Sequence, residues 1–110
     1  MANIKPVVTI PMKFVTQVVW SGDSTDTMLA FVLNGITPLS MTIQCNGGTM
    51  DVFGSMRSNS TFPAVLKDTL GVDLLNVSDG VISSIAQRPA TIIPTMLTGT
   101  GAEIILTIWR

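Results

Sequence analysis

The sequence predicts an all-β fold, a single-domain antiparallel β-sandwich. Three observations predict it. Gly, Asn, Asp, Ser and Pro clusters punctuate the chain at intervals of roughly 8–12 residues, the spacing of a sandwich or barrel. The apolar stretches between them are short, and several alternate with a period of two, as a half-buried strand does. At 110 residues the chain is long enough for one domain with a modest core.

The elements follow in order. Residues 1–13 carry Pro6 and Pro11, which have no N–H for a sheet ladder. They are expected to form an extended N-terminal arm, at a sheet edge or on a neighbouring subunit, anchored by Val7, Ile10 and Met12. Residues 14–110 are expected to form the sandwich. Residues 7–10 and 12–20 are β-rich, and Pro11 marks an edge or bend between them. "SGDSTD" (21–26) reads as a loop. "MLAFVL" (28–33) reads as a strand buried on both faces, and Asn34-Gly35 as a tight turn. "MTIQC" (41–45) places Met41, Ile43 and Cys45 on one face. "NGG" (46–48) is expected to turn the chain. In "TMDVFGSM" (49–56), Met50, Val52 and Met56 lie on one side and Asp51 and Phe53 opposite. "GTGAE" (99–103) reads as a hairpin turn into a last strand, 102–110, with Ile104, Leu106 and Ile108 facing the core. Two segments also fit helical spacing: "STFPAVLKDTLG", with Ser60 or Thr61 as cap, and "TDTMLAFVLN". Shortness and dense punctuation favour strands in both.

Several functional classes lack their residues. There is no histidine and no tyrosine, so the commonest general base and every His-dependent triad are missing. The carboxylates are scattered, and Asp23 and Asp26 lack the ordered oxygen ligands of a calcium loop. They read as turn residues. The single cysteine, Cys45, excludes an intramolecular disulfide and a thiolate zinc site, and sits in the apolar alternation as a small core residue. No P-loop or dinucleotide loop is present. The expectation is no catalytic residue, no metal, no cofactor and no enzymatic activity. The six basic residues are scattered and the net charge is −1, which argues against a nucleic-acid partner. No apolar run approaches a membrane span, and the N-terminus does not read as a signal peptide. Charged residues make up only 12% of the chain, well below a typical soluble domain's share of about 25%. Either a Ser/Thr-rich surface compensates, or another chain covers part of the surface.

The C-terminal half carries a resemblance. A strand ends at Gly54-Ser55. A polar loop (57–61) and an aromatic-led strand from Phe62 to Leu66 follow, closed by an acidic turn, Asp68 to Gly71. Then come an Asp79-Gly80 turn, an Arg-led strand with a proline (Arg88, Ile92, Ile93, Pro94), a Gly-rich turn (Gly99, Gly101) and a last strand ending Trp109-Arg110. In order and spacing, residues 50–110 resemble the small jelly-roll head-decoration (cement) proteins of tailed bacteriophages. The loop departs from that pattern in carrying Ser58-Asn59-Ser60-Thr61 where Asp-Gly is frequent, and Phe62 stands where Trp is common. The resemblance implies a jelly-roll-like sandwich on the virion surface, made in a host cytoplasm. It implies a major capsid protein as partner and a homo-oligomer, dimer or trimer. The alternatives are a carbohydrate-binding module and a tail or baseplate accessory protein. A carbohydrate-binding module needs exposed aromatic platforms, and most of the four Phe are expected in the core.

In "EIILTIWR", Ile105 and Trp109 point away from the face of Ile104, Leu106 and Ile108, and Phe53 is similarly out of phase. Two readings are open. A second layer, such as the N-terminal segment, covers these residues, or they form a contact between subunits.

Overall fold

The computed structural model describes residues 2–33 and 36–110, so the expected Asn34-Gly35 turn lies outside the described residues. The strands are β1 (Asn3–Ile4), β2 (Val7–Met12), β3 (Val15–Gly22), β4 (Thr27–Met28) and β5 (Phe31–Val32), followed by β6 (Ser40–Ser55), β7 (Ala64–Val65), β8 (Ile82–Ser84) and β9 (Thr91–Trp109). No helix occurs among the described residues, so neither helical alternative forms. The fold is an all-β antiparallel sandwich, with one short parallel pair, β1 with β4.

β6 and β9 run antiparallel along their full lengths, from Ser40 opposite Trp109 to Ser55 opposite Thr91. Their first stretch, 40–46 with 103–109, is flanked by β3 and then β2 on the β9 side and by β8 on the β6 side. Their second stretch, 48–55 with 91–99, is flanked by β7 and β5. Between the stretches the register breaks: Asn46 faces Glu103, but Gly48 already faces Gly99. The extra residues on β9 form a bulge, which bends a strand pair sharply. On β6 the buried face changes parity there, from Met41, Ile43 and Cys45 to Met50 and Val52. The two stretches turn their inner faces to one core. Trp20, Ile104, Leu106 and Ile108 fill it from one side, and Met50, Val52, Ile92 and Met96 from the other. The buried indole N–H of Trp20 donates to the carbonyl of Leu29 at 2.7 Å, so its polar atom is not lost to the core.

The bend is held by two loops whose side chains and backbone meet its interrupted backbone. The N–H of Gly101 donates to Asp23 Oδ1 at 2.7 Å, and the N–H of Ser24 to the carbonyl of Gly99 at 3.0 Å. On β6, the N–H of Gly47 donates to Asp79 Oδ1 at 2.8 Å and the N–H of Gly80 to the carbonyl of Cys45 at 2.9 Å. Gly48 is the tightest point: a Cβ there would lie 2.0 Å from the carbonyl oxygen of Thr98.

Several expectations are corrected. "NGG" and "GTGAE" do not reverse the chain; each kinks a strand that continues, because the partner strand kinks alongside it. Residues 102–109 are therefore the second half of β9. Pro11 does not divide two strands. It sits within β2, beside the register shift between Thr9 and Met12, where an edge strand needs no N–H; the chain reverses afterwards, at Lys13-Phe14. "MLAFVL" is not one buried strand. Met28 ends β4, Leu29 donates to the carbonyl of Ile4, and Phe31–Val32 moves to β9. Leu29 and Val32 are exposed. The strand expected over 62–66 shrinks to β7, with Phe62 and Leu70 exposed. Met56 lies past the end of β6 and is exposed rather than aligned with Met50 and Val52. None of the four Phe is fully buried; the core is built from Ile, Leu, Val, Met and one Trp.

β1 is tied in by Asp26. Its Oδ2 accepts the N–H of Asp23 and its Oδ1 that of Ala2, both at 2.9 Å. These donors, Asp23 first, hold the Asp26 carboxyl below its ordinary value of 3.8. A depressed carboxylate contributes stability that is present above the ordinary value and lost as pH falls through the folded one. Asp26→Asn is expected to lower the melting temperature at neutral pH and to flatten its fall below about pH 4, measured by thermal denaturation across pH; parallel curves for both proteins would refute this. Gly48→Ala is expected to cost about 3 kcal/mol, by overpacking against backbone. Gly80→Ala, in open space but at φ 79°, is expected to cost about 1 kcal/mol. Urea denaturation of the two variants checks the order.

Candidate interaction surface

The outward face of the five-stranded side of the sandwich can be read off the register, since residues opposite one another in a ladder share a face. One row across β2, β3, β9, β6 and β8 is Val7, Val19, Ile105, Gln44 and Ile82. The next is Thr9, Gln17, Thr107, Thr42 and Ser84. A third, toward the β2–β3 turn, is Met12, Val15, Trp109 and Ser40. The face is thus an apolar row, a hydroxyl and amide row, and an apolar corner. In the remaining row, Ser21, Glu103 and Asn46, Glu103 is the one charge on the face.

This arrangement follows from the sequence. Val18 and Val19 are adjacent, so one of them must face outward. The same holds for Ile104 and Ile105. Val18 and Ile104 are fully buried, leaving Val19 and Ile105 outside, half-buried by their neighbours. Val7 is 63% exposed, Ile82 69% and Trp109 44%. Every residue of β2 is exposed.

Of the residues singled out from the sequence, Val7, Met12, Ile105 and Trp109 lie on this one face. Ile10 is exposed at the β2 register shift. Phe53 is elsewhere: it stands opposite Ile93 and Val65, half-buried on the outward face of the other side. The N-terminal segment does not cover Ile105 and Trp109 as a second layer. Its β2 part pairs with β3 and lengthens the sheet, while β1 pairs with β4. Val19 and Ile82 were not singled out; the apolar doublet Val18-Val19 was the available signal for the first.

The loop after β6 forms a second feature. A pocket of about 280 Å³ is lined by Gly54, Met56, Arg57, Phe62, Val65 and Pro89, among others. Gly54 is required by close approach, since a Cβ would fall 2.9 Å from Leu66 and 3.0 Å from Pro89. The buried Ser55 hydroxyl donates to the carbonyl of Thr61 and accepts the N–H of Arg57 at 3.1 Å. Asn59 Oδ1 accepts from the hydroxyl of Thr61 at 2.8 Å. So held, Ser60 and Phe62 adopt φ of 64° and 55°, which non-glycine residues rarely do. Phe62 is turned outward, with the Arg57 guanidinium 4.8 Å from its ring centre. The sequence pattern, a polar loop over 57–61 followed by an aromatic-led strand, gives no sign of this pocket.

Among the described residues no group of three His, Cys, Asp or Glu is placed to hold a metal. Cys45 is fully buried, and burial pushes its thiol up, as suits an unreactive core residue. Asp23 and Asp26 act as turn and docking groups. No family model, no curated protein and no solved structure matches the chain.

The two tryptophans make contrasting tests of what belongs to the core. Trp20→Ala is expected to cost about 4 kcal/mol, as for a fully buried aromatic. Trp109→Ala is expected to cost about 1 kcal/mol in the isolated subunit, measured by urea denaturation at low concentration. Equal losses would place Trp109 in the core and remove it from the surface.

Proposed function

We propose that this protein is a structural component of a virus particle: a decoration, or cement, protein that binds the outside of a bacteriophage head and clamps neighbouring major capsid subunits. In this reading it is a homo-oligomer on the virion surface, made in the host cytoplasm, and not an enzyme. The observation that carries the proposal is the outward face of β2, β3, β9, β6 and β8. It is broad, nearly free of charge, and exposes Val7, Met12, Ile82 and Trp109. Charge depletion around aromatic and Met side chains is the composition of an interface centre. The resemblance of residues 50–110 to head-decoration proteins supplies the partner. The absence of histidine and the scattered carboxylates fit a role without chemistry.

The second reading is a carbohydrate-binding module. It is favoured by Trp109 standing on the outward face beside the row of Thr107, Gln17 and Thr42, an aromatic platform next to hydrogen-bonding groups. A glycan array distinguishes it.

Mass spectrometry of purified virions, with sedimentation velocity over a range of concentrations, tests the leading reading. The protein is expected in the particle and in a self-associated form. A Val7→Lys, Ile82→Lys double variant changes only exposed side chains, so its melting is expected to stay within about 1 kcal/mol of wild type, while association and attachment to heads are lost. A double variant that still assembles and attaches would overturn the assignment of this face.

A further inference from the structure

We infer that the pocket beside β7 is a second recognition site, one that takes an extended peptide pairing an apolar side chain with a carboxylate. The site is independent of the capsid reading and lies away from the face that carries it. Three observations converge on the peptide. The first is the pocket itself, about 280 Å³, somewhat below the size usual for drug-like ligands and suited to one large side chain. Its lining is mostly apolar, and its shape is preset by Gly54 and by the Ser55 hydroxyl that bridges the loop.

The second is charge. Arg57 is the one charged residue in the lining, and no acid lines the pocket. The ion pair found among the described residues is Lys67 with Asp73, so Arg57 has no carboxylate partner there. Its guanidinium lies over the ring of Phe62. A guanidinium held over a ring keeps N–H groups that can bind a carboxylate. The cation is therefore positioned at the mouth of the pocket but not neutralised.

The third is backbone. β7 is an edge strand, with β6 on one side and no strand beyond it among the described residues. Just past it the edge is taken, since Lys67 donates its N–H to Gln87 Oε1 at 2.7 Å and accepts that of Ala86 at 2.9 Å, so the open groups are those of β7 itself. The N–H of Leu66 donates to the carbonyl of Val52 at 3.0 Å, which makes Val65 opposite Phe53 a pair without mutual hydrogen bonds. The N–H and C=O of Val65 consequently turn away from β6. A peptide strand laid along β7 reaches them, as in strand addition to a sheet edge. Side chains two apart on such a strand share a face, so one enters the pocket while the next reaches Arg57.

The test titrates ¹⁵N-labelled protein with acetyl-Thr-Phe-Thr-Asp-Thr-amide and with the same peptide carrying Lys for Asp. Saturable shifts are expected at residues 53–57, 61–66 and 87–89, with the Lys peptide weaker by about fivefold or more. Arg57→Gln, a change at an exposed side chain whose fold the same spectrum reports, is expected to abolish the difference between the two peptides. The proposal is overturned if neither peptide shifts these residues, or if the Lys peptide binds as well as the Asp peptide. It is also overturned if phenylacetate alone saturates the pocket while the Asp peptide does not bind, which would make this a small-carboxylate site. Loss of virion attachment in other variants does not bear on any of these outcomes.

Discussion

The structure depends on one bent strand pair. β6 and β9 supply strands to both layers of the sandwich, so the layers can face each other only if the pair bends between Asn46 and Thr49. Bending a ladder leaves backbone groups without partners, and buried ones cost free energy comparable to a lost hydrogen bond. Two acidic loops meet them here: Asp23 and Ser24 at the β9 bulge, Asp79 and Gly80 at the β6 kink. The loops therefore belong to the mechanism of the bend. It also explains the glycines, since Gly48 leaves no room for a Cβ beside Thr98.

How the sequence encodes this differs from element to element. Where a residue pattern has a local cause, it was legible. The alternations Met41-Ile43-Cys45 and Ile104-Leu106-Ile108 identify buried faces correctly, and the Asp68–Gly71 and Asp79-Gly80 turns sit where their residues place them. What was not legible depends on the partner strand. A Gly-rich segment reads alike whether it reverses a chain or kinks it, and only the kink in β6 opposite Gly99–Gly101 decides. Pro11 breaks a central strand but not an edge one, and the edge position of β2 is a tertiary fact. The outward apolar residues Ile105 and Trp109 followed from period two alone. The pocket did not, because it joins residues 54–66 to Gln87 and Pro89 across a loop that sequence does not close.

The distribution of aromatic side chains links fold to function. A core of Ile, Leu, Val and Met around one Trp leaves Phe14, Phe62 and Trp109 at the surface. Two of them carry cations over their rings, Lys13 at 5.0 Å and Arg57 at 4.8 Å. With so few charges in the chain, these pairs and the Lys67–Asp73 bridge concentrate much of its positive charge at particular places, and the broad sheet face is left with Glu103 alone. One surface is thus suited to wide apolar contact and the other to a pointed, charge-dependent one.

The place of β9 in the sheet has a consequence for the order of events during folding. β3 pairs with β2 on one side and with residues 102–109 on the other. The β2–β3 hairpin is made early in synthesis, yet it waits for about eighty further residues before its inner neighbour exists. A sheet whose central pairing is this distant in sequence forms slowly, because loop closure precedes the contacts that reward it. Through that interval the hairpin presents Val18 and Trp20 on an open strand edge, the condition that favours misassociation. Pro11, the register shift beside it, and Lys5 and Lys13 at its ends interrupt the regular ladder that a second hairpin would need. The irregularity of β2 therefore blunts only the outer edge of the hairpin; the edge of β3 that receives β9 stays regular and open until residues 102–109 arrive.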